Sequence, residues 1–170
     1  MNEDRAFSED SIRRNLKEAF VDVKEAVRRT EGRSRAGLML GLQEIGASLE
    51  GFIGAYYPVA SNIIVVNKTP LRRIVETNTK LLKPYGVHVL LHEYIHSLGF
   101  LDERITQQKT YQISKEQYGE YDLVTQLSTN IKKFFPNLVY PIHGWMPPQH
   151  VPVIELVSDF DQSTTNYYIT

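Results

Sequence analysis

The stretch from Tyr85 to Glu103 reads YGVHVLLHEYIHSLGFLDE and contains the pattern His92-Glu93-x-x-His96. On a helix, residues four apart lie one turn from each other on the same face. The two histidines therefore predict a pair of imidazoles that grip one Zn²⁺ from the same side. Glu93 is rotated about 100° from His92 around the helix axis, so it can reach a water beside the metal without binding the metal. This spacing is typical of zinc-assisted hydrolysis with the glutamate as general base.

The flanks of this stretch suit a helix that ends just after the second histidine. Pro84 fits the first helical position, and Gly99 can adopt the left-handed conformation that ends a helix. An apolar stripe would bury the back of the helix, and it consists of Val87, Leu91, Tyr94 and Leu98. After a turn at Gly99 the chain can double back towards the histidines. Because two histidines from one helix occupy one side of the metal, the third protein ligand comes from elsewhere, and we predict Asp102.

Further side chains compete with Asp102 for the position of third ligand. Glu103 is adjacent in sequence, but in an extended chain it points to the opposite side. Glu116 and Glu120 lie on the next predicted helix, from which a more distant ligand can come. His143 is a fourth candidate, although no spacing favours it.

The pattern His-Glu-x-x-His-x-x-Gly-x-x-Asp resembles the signature of the zincin metallopeptidases. It is closest to the metzincin-type signature in its aspartate variant, as in snapalysin-like enzymes, whereas most metzincins have His where this chain has Asp102. It is also similar to small, mostly uncharacterised prokaryotic zincin-like proteins in which Asp-Glu ends the pattern. The resemblance covers residues 85–103 strongly and extends weakly back to about residue 50. It implies a zinc endopeptidase architecture with Asp102 as a ligand, while a ligand at Glu116 or Glu120 would imply the gluzincin group.

The composition is that of an ordinary globular chain with one domain. The 170 residues are 42% hydrophobic and 23% charged, and 19 Lys and Arg balance 20 Asp and Glu. This balance gives no reason to expect binding to nucleic acid or to a membrane. The chain has no cysteine, so His and carboxylate are the strong metal ligands available. Since the N-terminus has no apolar signal-like segment and no apolar run is long enough to span a bilayer, we expect a cytoplasmic protein.

The rest of the chain predicts an α+β fold. Helical spacing of apolar residues predicts a first helix from about residue 9 to Arg29. Strands are expected at 35–44, 51–57 and 62–67, the last two as a hairpin, followed by a short helix at 69–76. Residues 105–135 are expected to be mainly helical, with the clearest pattern at 115–134, and the proline-rich segment 136–170 irregular.

This order is similar to that of a single zincin-like domain over residues 1–170. Its upper part, about 1–99, would consist of the N-terminal helix and a small mixed sheet of three or more strands packed on the active-site helix. Its lower part, about 100–170, would be helical and irregular.

The resemblance also predicts which strand of the protein would pair with a peptide substrate. In zincin folds the strand just before the metal helix often lies at the rim of the cleft, where a peptide can add alongside it. That makes 62–67 the expected substrate strand, with Asn62, Ile64 and Val66 as the residues that contact the peptide. The four consecutive apolar residues at 63–66 equally suit a fully buried strand.

We expect a zinc-dependent peptidase that acts on a peptide or protein, with Zn²⁺ held by His92, His96 and Asp102 and with Glu93 as the catalytic base. One competing hypothesis is a zinc hydrolase of another class, such as an amidase for a small substrate, which would have a narrow enclosed pocket. A second is a non-catalytic binding module with a zincin fold, which would not need the base at Glu93.

Overall fold

A computed structural model describes residues 2–48, 51–135 and 153–161. These residues form five α-helices, two short 3-10 helices and one four-stranded sheet. The helices are α1 (Asn2–Glu31), α2 (Lys68–Thr77), α3 (Leu82–Ser97), α4 (Glu103–Tyr118) and α5 (Leu123–Thr129), and the 3-10 helices span Thr79–Leu81 and Ile131–Phe134. The strands are β1 (Met39–Gln43), β2 (Ala55–Tyr56), β3 (Ile63–Asn67) and β4 (Glu155–Val157). None of the helices in these ranges combines the length and the apolarity needed to cross a bilayer.

The strands form a mixed sheet in the order β2-β3-β1-β4. β1 and β3 are parallel, with Leu40 opposite Ile64, whereas β4 runs antiparallel to β1 and β2 runs antiparallel to β3. The central strands β1 and β3 contain nearly continuous apolar runs, because both of their faces are covered. β2 therefore lies at one edge of the sheet that the described residues form, and β4 lies at the other.

Helix α3, which carries the histidine pattern, is packed tightly against α1. Gly86 permits the close approach, since a Cβ there would come within 3.3 Å of Leu16 Cδ2 and 3.5 Å of Ala19 Cβ. Tyr94 is fully buried and meets Phe20 edge to face, with 5.6 Å between the ring centroids. Because this face of α3 packs in the core, the histidines project from the other side of the helix.

The structure confirms the predicted α+β class and most of the element order, and it moves several boundaries. The long first helix, the short helix and the histidine helix are all present, and β2 and β3 pair as an antiparallel hairpin. Residues 105–135 are mainly helical, as predicted, but the helix is interrupted within 115–134, because the chain leaves it at Gly119, which has a φ of 92°. Within the segment expected to be irregular, Glu155–Val157 forms a strand, and residues 136–152 and 162–170 lie outside the described ranges.

Candidate metal centre

His92 and His96 project from one face of α3 towards the start of α4. Their ring centroids are 4.8 Å apart, and their side chains are 15% and 13% exposed. The two rings are therefore mostly buried but still accessible to solvent. The helix ends directly after them, where Gly99 has a φ of 106° and its amide donates to the His96 carbonyl at 3.0 Å. The predicted turn at Gly99 is therefore confirmed, and it brings the chain back past the histidines.

Glu103, the first residue of α4, is the carboxylate that meets both histidines. Its Oε1 lies 2.8 Å from His92 Nε2, and its Oε2 lies 3.0 Å from His96 Nε2. One potential ligand atom from each of these three side chains lies within 4.8 Å of the other two. Among the described residues, His92, His96 and Glu103 are the group that could hold a metal ion, and we call them the ligand group. Donors on a tetrahedral zinc ion, with bonds of about 2.0–2.1 Å, are roughly 3.3 Å apart. The two contacts of Glu103 are slightly shorter than this spacing, and the widest pair in the group, at up to 4.8 Å, is longer. The three side chains would therefore have to adjust to bind one ion.

Asp102, the expected third ligand, is outside this group, and Glu103 lies at the position where we expected Asp102. Asp102 is the N-cap of α4, and its Oδ1 accepts a hydrogen bond from the Ile105 amide at 3.0 Å. A carboxylate there satisfies an otherwise unpaired amide and complements the positive end of the helix. The prediction treated residues 102 and 103 as extended, whereas a helix begins between them and turns Glu103 towards the histidines. An Asp directly before a helical segment is an N-cap signal from which this start was predictable.

The two glutamates that follow along the chain do not approach the histidines. Glu116 is exposed near the end of α4, where it accepts a hydrogen bond from Gln112 at 3.3 Å. Glu120 is exposed in the turn after Gly119. Neither belongs to the ligand group of the described residues. The remaining candidate for the third ligand, His143, lies outside the described ranges.

The hydrogen bonds of His96 determine which of its two nitrogens carries a proton. Nδ1 lies 2.7 Å from the Phe100 carbonyl oxygen, and because a carbonyl only accepts, Nδ1 is the donor. In the neutral ring Nε2 is then an acceptor, and it faces the Glu103 carboxylate, which also only accepts, at 3.0 Å. Two acceptors this close repel unless a cation, or a second proton on the ring, lies between them. The chemistry of this donor set therefore fits a metal cation.

Glu93 provides a second carboxylate beside the ligand group. It is 7% exposed and faces the β2 side of α3, where it lines a cleft together with Ala55. Burial raises the pKa of Glu93 to about 7, although the charge of His96 and a hydrogen bond from the Tyr57 amide act in the opposite direction. A carboxyl group that exchanges its proton near neutral pH in a cleft has the properties of a general base.

His88 lies one turn before His92 and lines the same cleft without joining the ligand group. Its buried Nδ1 has no hydrogen-bond partner among the described residues. Burial lowers the pKa of His88 to about 4, and the charge of His92 acts in the same direction, so the ring is neutral at pH 7. Three successive turns of a straight helix are too widely spaced for His88 to bind the same ion as His96.

A cleft runs beside β2 and passes the two glutamates Glu93 and Glu103. The part next to His92 has a volume of about 450 Å³, and the part next to His96 has a volume of about 390 Å³. The residues that line both parts are Ile53, Ala55, Glu93 and Glu103. Exposed apolar side chains border the part next to His96, and they are Ile53, Val59 and Leu101, with exposed fractions of 58%, 67% and 54%.

The strand at the rim of this cleft is β2, so the expected substrate strand at 62–67 was wrong. β3 lies between β2 and β1, and both of its edges are paired. Ile64 and Val66 have no exposed surface, and Asn62 precedes the strand, where its carbonyl accepts from the Met39 amide at 2.7 Å. The continuous apolar run reflects a central strand that is buried on both faces.

The chain matches no protein-family model and shows no significant similarity to a curated protein or to a solved structure. The resemblance to the zincins therefore stays a prediction that rests on residues 85–103.

Proposed function

We propose that this protein is a zinc-dependent peptidase with a zincin-like fold, in which His92, His96 and Glu103 hold the metal and Glu93 is the catalytic base. The observation that carries the proposal is the convergence of two imidazole Nε2 atoms and one carboxylate at a cleft, with a second, buried carboxylate beside them. Two histidines and one carboxylate are a ligand set of catalytic zinc sites, which keep a fourth position open.

The electrostatics of the ligand group support a bound cation. Glu103 and the unprotonated Nε2 of His96 face each other as acceptors. Burial lowers the pKa of His92, although the charge of Glu103 acts against it, so the His92 ring is neutral at pH 7. Neutral imidazoles and an ionised carboxylate are the protonation states that zinc binding requires.

The side chains of this site have distinct parts in hydrolysis. Zinc, when bound, supplies a Lewis acid that makes water acidic enough to react near pH 7. Glu93 removes a proton from the water as the water oxygen forms a bond to the scissile carbonyl carbon. When the C–N bond breaks, the same carboxyl group returns that proton to the leaving nitrogen, and the products are a carboxylic acid and an amine. The raised pKa of Glu93 suits both transfers near neutral pH.

The direction of the peptide groups in the edge strand β2 favours an extended peptide as the substrate. The Gly54 carbonyl accepts from the Asn67 amide at 2.9 Å, so it points towards β3. Because peptide groups alternate in direction along a strand, those of Ala55 point the other way, towards the cleft. A peptide that pairs with Ala55 would lie across Glu93 and Glu103, since both line the cleft with Ala55.

The shape of the cleft favours a peptidase over an amidase for a small substrate. The cleft continues past the glutamates in both directions beside β2, which gives an extended chain room on either side of the scissile bond. A small-molecule site would instead enclose most of its ligand. Burying the carboxyl group of Glu93 costs free energy, and a catalytic base accounts for that cost where a non-catalytic binding module does not.

Protein purified without chelator is expected to contain about one zinc ion per chain, as elemental analysis would measure. Removal of the metal should abolish cleavage of a diverse peptide pool, and added Zn²⁺ should restore it. A chain that neither contains zinc nor takes it up would contradict the proposed ligand group. Zinc binding with turnover of small amides alone would identify the amidase, and zinc binding without any hydrolysis would identify the binding module.

Replacing Leu101 with Ser is expected to raise KM roughly fivefold to tenfold for peptides with a large apolar residue on the His96 side of the scissile bond. Leu101 is 54% exposed at that part of the cleft, and a partly covered apolar side chain contributes about 1 kcal/mol of binding. Ile105→Ser is the matched control, because Ile105 is 46% exposed on α4 and does not line the cleft. Equal changes of KM in both variants would remove Leu101 from the substrate site.

A further inference from the structure

One buried hydroxyl group contacts the loop that joins the two helices of the proposed metal site. Thr106, in the first turn of α4, has no exposed surface. Its Oγ1 lies 2.9 Å from the Phe100 carbonyl oxygen, 2.8 Å from the Asp102 carbonyl oxygen and 3.3 Å from His96 Nδ1. The Phe100 carbonyl is also the acceptor for His96 Nδ1. A single hydroxyl thus lies between the rear of one proposed ligand and the start of the helix that presents another.

We propose that Thr106 is a positioning residue for the metal site, which fixes the ring of His96 and the start of α4 at Glu103. This inference rests on the proposed zinc site. Through the Phe100 carbonyl, Thr106 keeps an acceptor behind Nδ1, so the proton stays on Nδ1 and Nε2 stays free to bind metal. The Asp102 carbonyl accepts from the Thr106 amide at 3.0 Å, and the hydroxyl shares its single proton between this carbonyl and that of Phe100, so both polar groups of Thr106 contact the turn from which the Glu103 side chain leaves the backbone.

The loop has further contacts that would keep it folded if the hydroxyl were removed. The Arg33 guanidinium donates to the Leu98 carbonyl at 2.9 Å. Arg33 and Lys109 also lie over the Phe100 ring, at 5.2 Å and 4.6 Å from its centroid. Cations at these distances from an aromatic ring stabilise its position. Loss of the Thr106 hydroxyl is therefore expected to loosen the polar contacts behind His96 without unfolding the loop.

Thr110 offers a matched control one turn further along α4. It is 1% exposed, and its Oγ1 donates to the Thr106 carbonyl at 2.8 Å. Its hydroxyl therefore makes the same kind of buried bond within the helix, and no hydrogen bond joins it to the 98–102 loop or to His96. Thr110→Val and Thr106→Val remove the same chemical group from the same helix, so a difference between them reports on the loop contacts alone.

The first test measures Zn²⁺ affinity by competition with a metal-binding dye. Thr106→Val is expected to weaken binding about 10- to 100-fold, the usual cost of losing a group that supports a metal ligand. Thr106→Ser and Thr110→Val should bind zinc as the native chain does, because Ser keeps the hydroxyl. Thermal unfolding of the zinc-free proteins should show that both Val variants are folded and similarly stable. Equal zinc affinities for Thr106→Val and Thr110→Val would overturn the proposal.

The second test needs no metal and separates this inference from the proposed function. In zinc-free protein, nitrogen NMR of the His96 ring should show the proton on Nδ1 in the native chain and in Thr110→Val. Thr106→Val should shift the proton partly to Nε2, and an unchanged ring would overturn the proposal. If the native chain binds no zinc, the proposed function fails, and this measurement still decides whether Thr106 orients His96. If it binds zinc and the two Val variants agree in both tests, the inference fails and the proposed function stands.

Discussion

Replacing Glu93 with Gln is expected to lower peptide hydrolysis by about 10² to 10⁴-fold and to leave the zinc content unchanged. The amide keeps the shape of the carboxyl group but has no site that can take a proton from water. Glu93 is outside the ligand group, so the three proposed ligands remain in place in the variant. Steady-state kcat and elemental analysis of the same preparations would measure both effects.

Glu155→Gln is a suitable control for this experiment. Glu155 is a carboxylate on β4, at the opposite edge of the sheet from β2, where it pairs with Arg13 at 3.3 Å. The control should hydrolyse peptides at the native rate. Native activity in the Glu93 variant would show that another group is the base, and loss of zinc along with activity would show that Glu93 supports the metal instead.

The stability of the zinc-free Glu93→Gln protein gives a second readout. Burial raises the pKa of Glu93 from 4.5 to about 7, so the folded chain binds this proton more tightly than the unfolded chain. The free energy of unfolding therefore falls as the pH rises from about 4.5 to about 7 and stays lower above that range. Gln has no such charge, so the native chain should lose stability relative to the variant across this window. Chemical denaturation of both proteins at several pH values measures it, and a difference independent of pH would contradict the burial of an ionising Glu93.

Glu103→Ala is expected to weaken zinc binding by more than the roughly 10- to 100-fold that follows the loss of a supporting group, because it removes one of three proposed ligands. Without the carboxylate, the remaining protein donors are two neutral imidazoles from one side of the ion. Competition with a metal-binding dye measures the affinity. Peptide hydrolysis should fall in parallel and should recover only at high Zn²⁺ concentration.

The adjacent Asp102 separates metal binding from helix capping. Asp102→Ala should reduce the free energy of unfolding by about 0.5–2 kcal/mol through loss of the N-cap, and its zinc affinity should stay close to native. Asp102→Asn should restore the stability, since Asn is as good an N-cap as Asp. If Asp102→Ala lost zinc while Glu103→Ala kept it, Asp102 would be the third ligand that the metzincin-type resemblance implies.

Local features of the candidate site were predictable from the sequence. The placement of His92, Glu93 and His96 follows from the turn of a single helix, and the turn at Gly99 follows from one residue that tolerates a positive φ. The choice between Asp102 and Glu103 was harder, because one residue at a helix start redirects a side chain by about 100°. The contacts of Thr106 carry no sequence signal of this kind, since they join a hydroxyl to carbonyl oxygens that every residue has.

The sequence by itself determined the α+β class, the helix that presents both histidines, and the hairpin of β2 and β3. Each of these depends on residues that are close together in the chain, so periodicity and turn residues are sufficient. Only the tertiary structure decided that β3 is a central strand and β2 the edge strand beside the cleft. The sheet order arises because β1 pairs with β3 from a distant part of the chain, and such pairing depends on how the whole sheet buries its faces. In the same way, only the packing of α4 against α3 brought Glu103 to the two histidines.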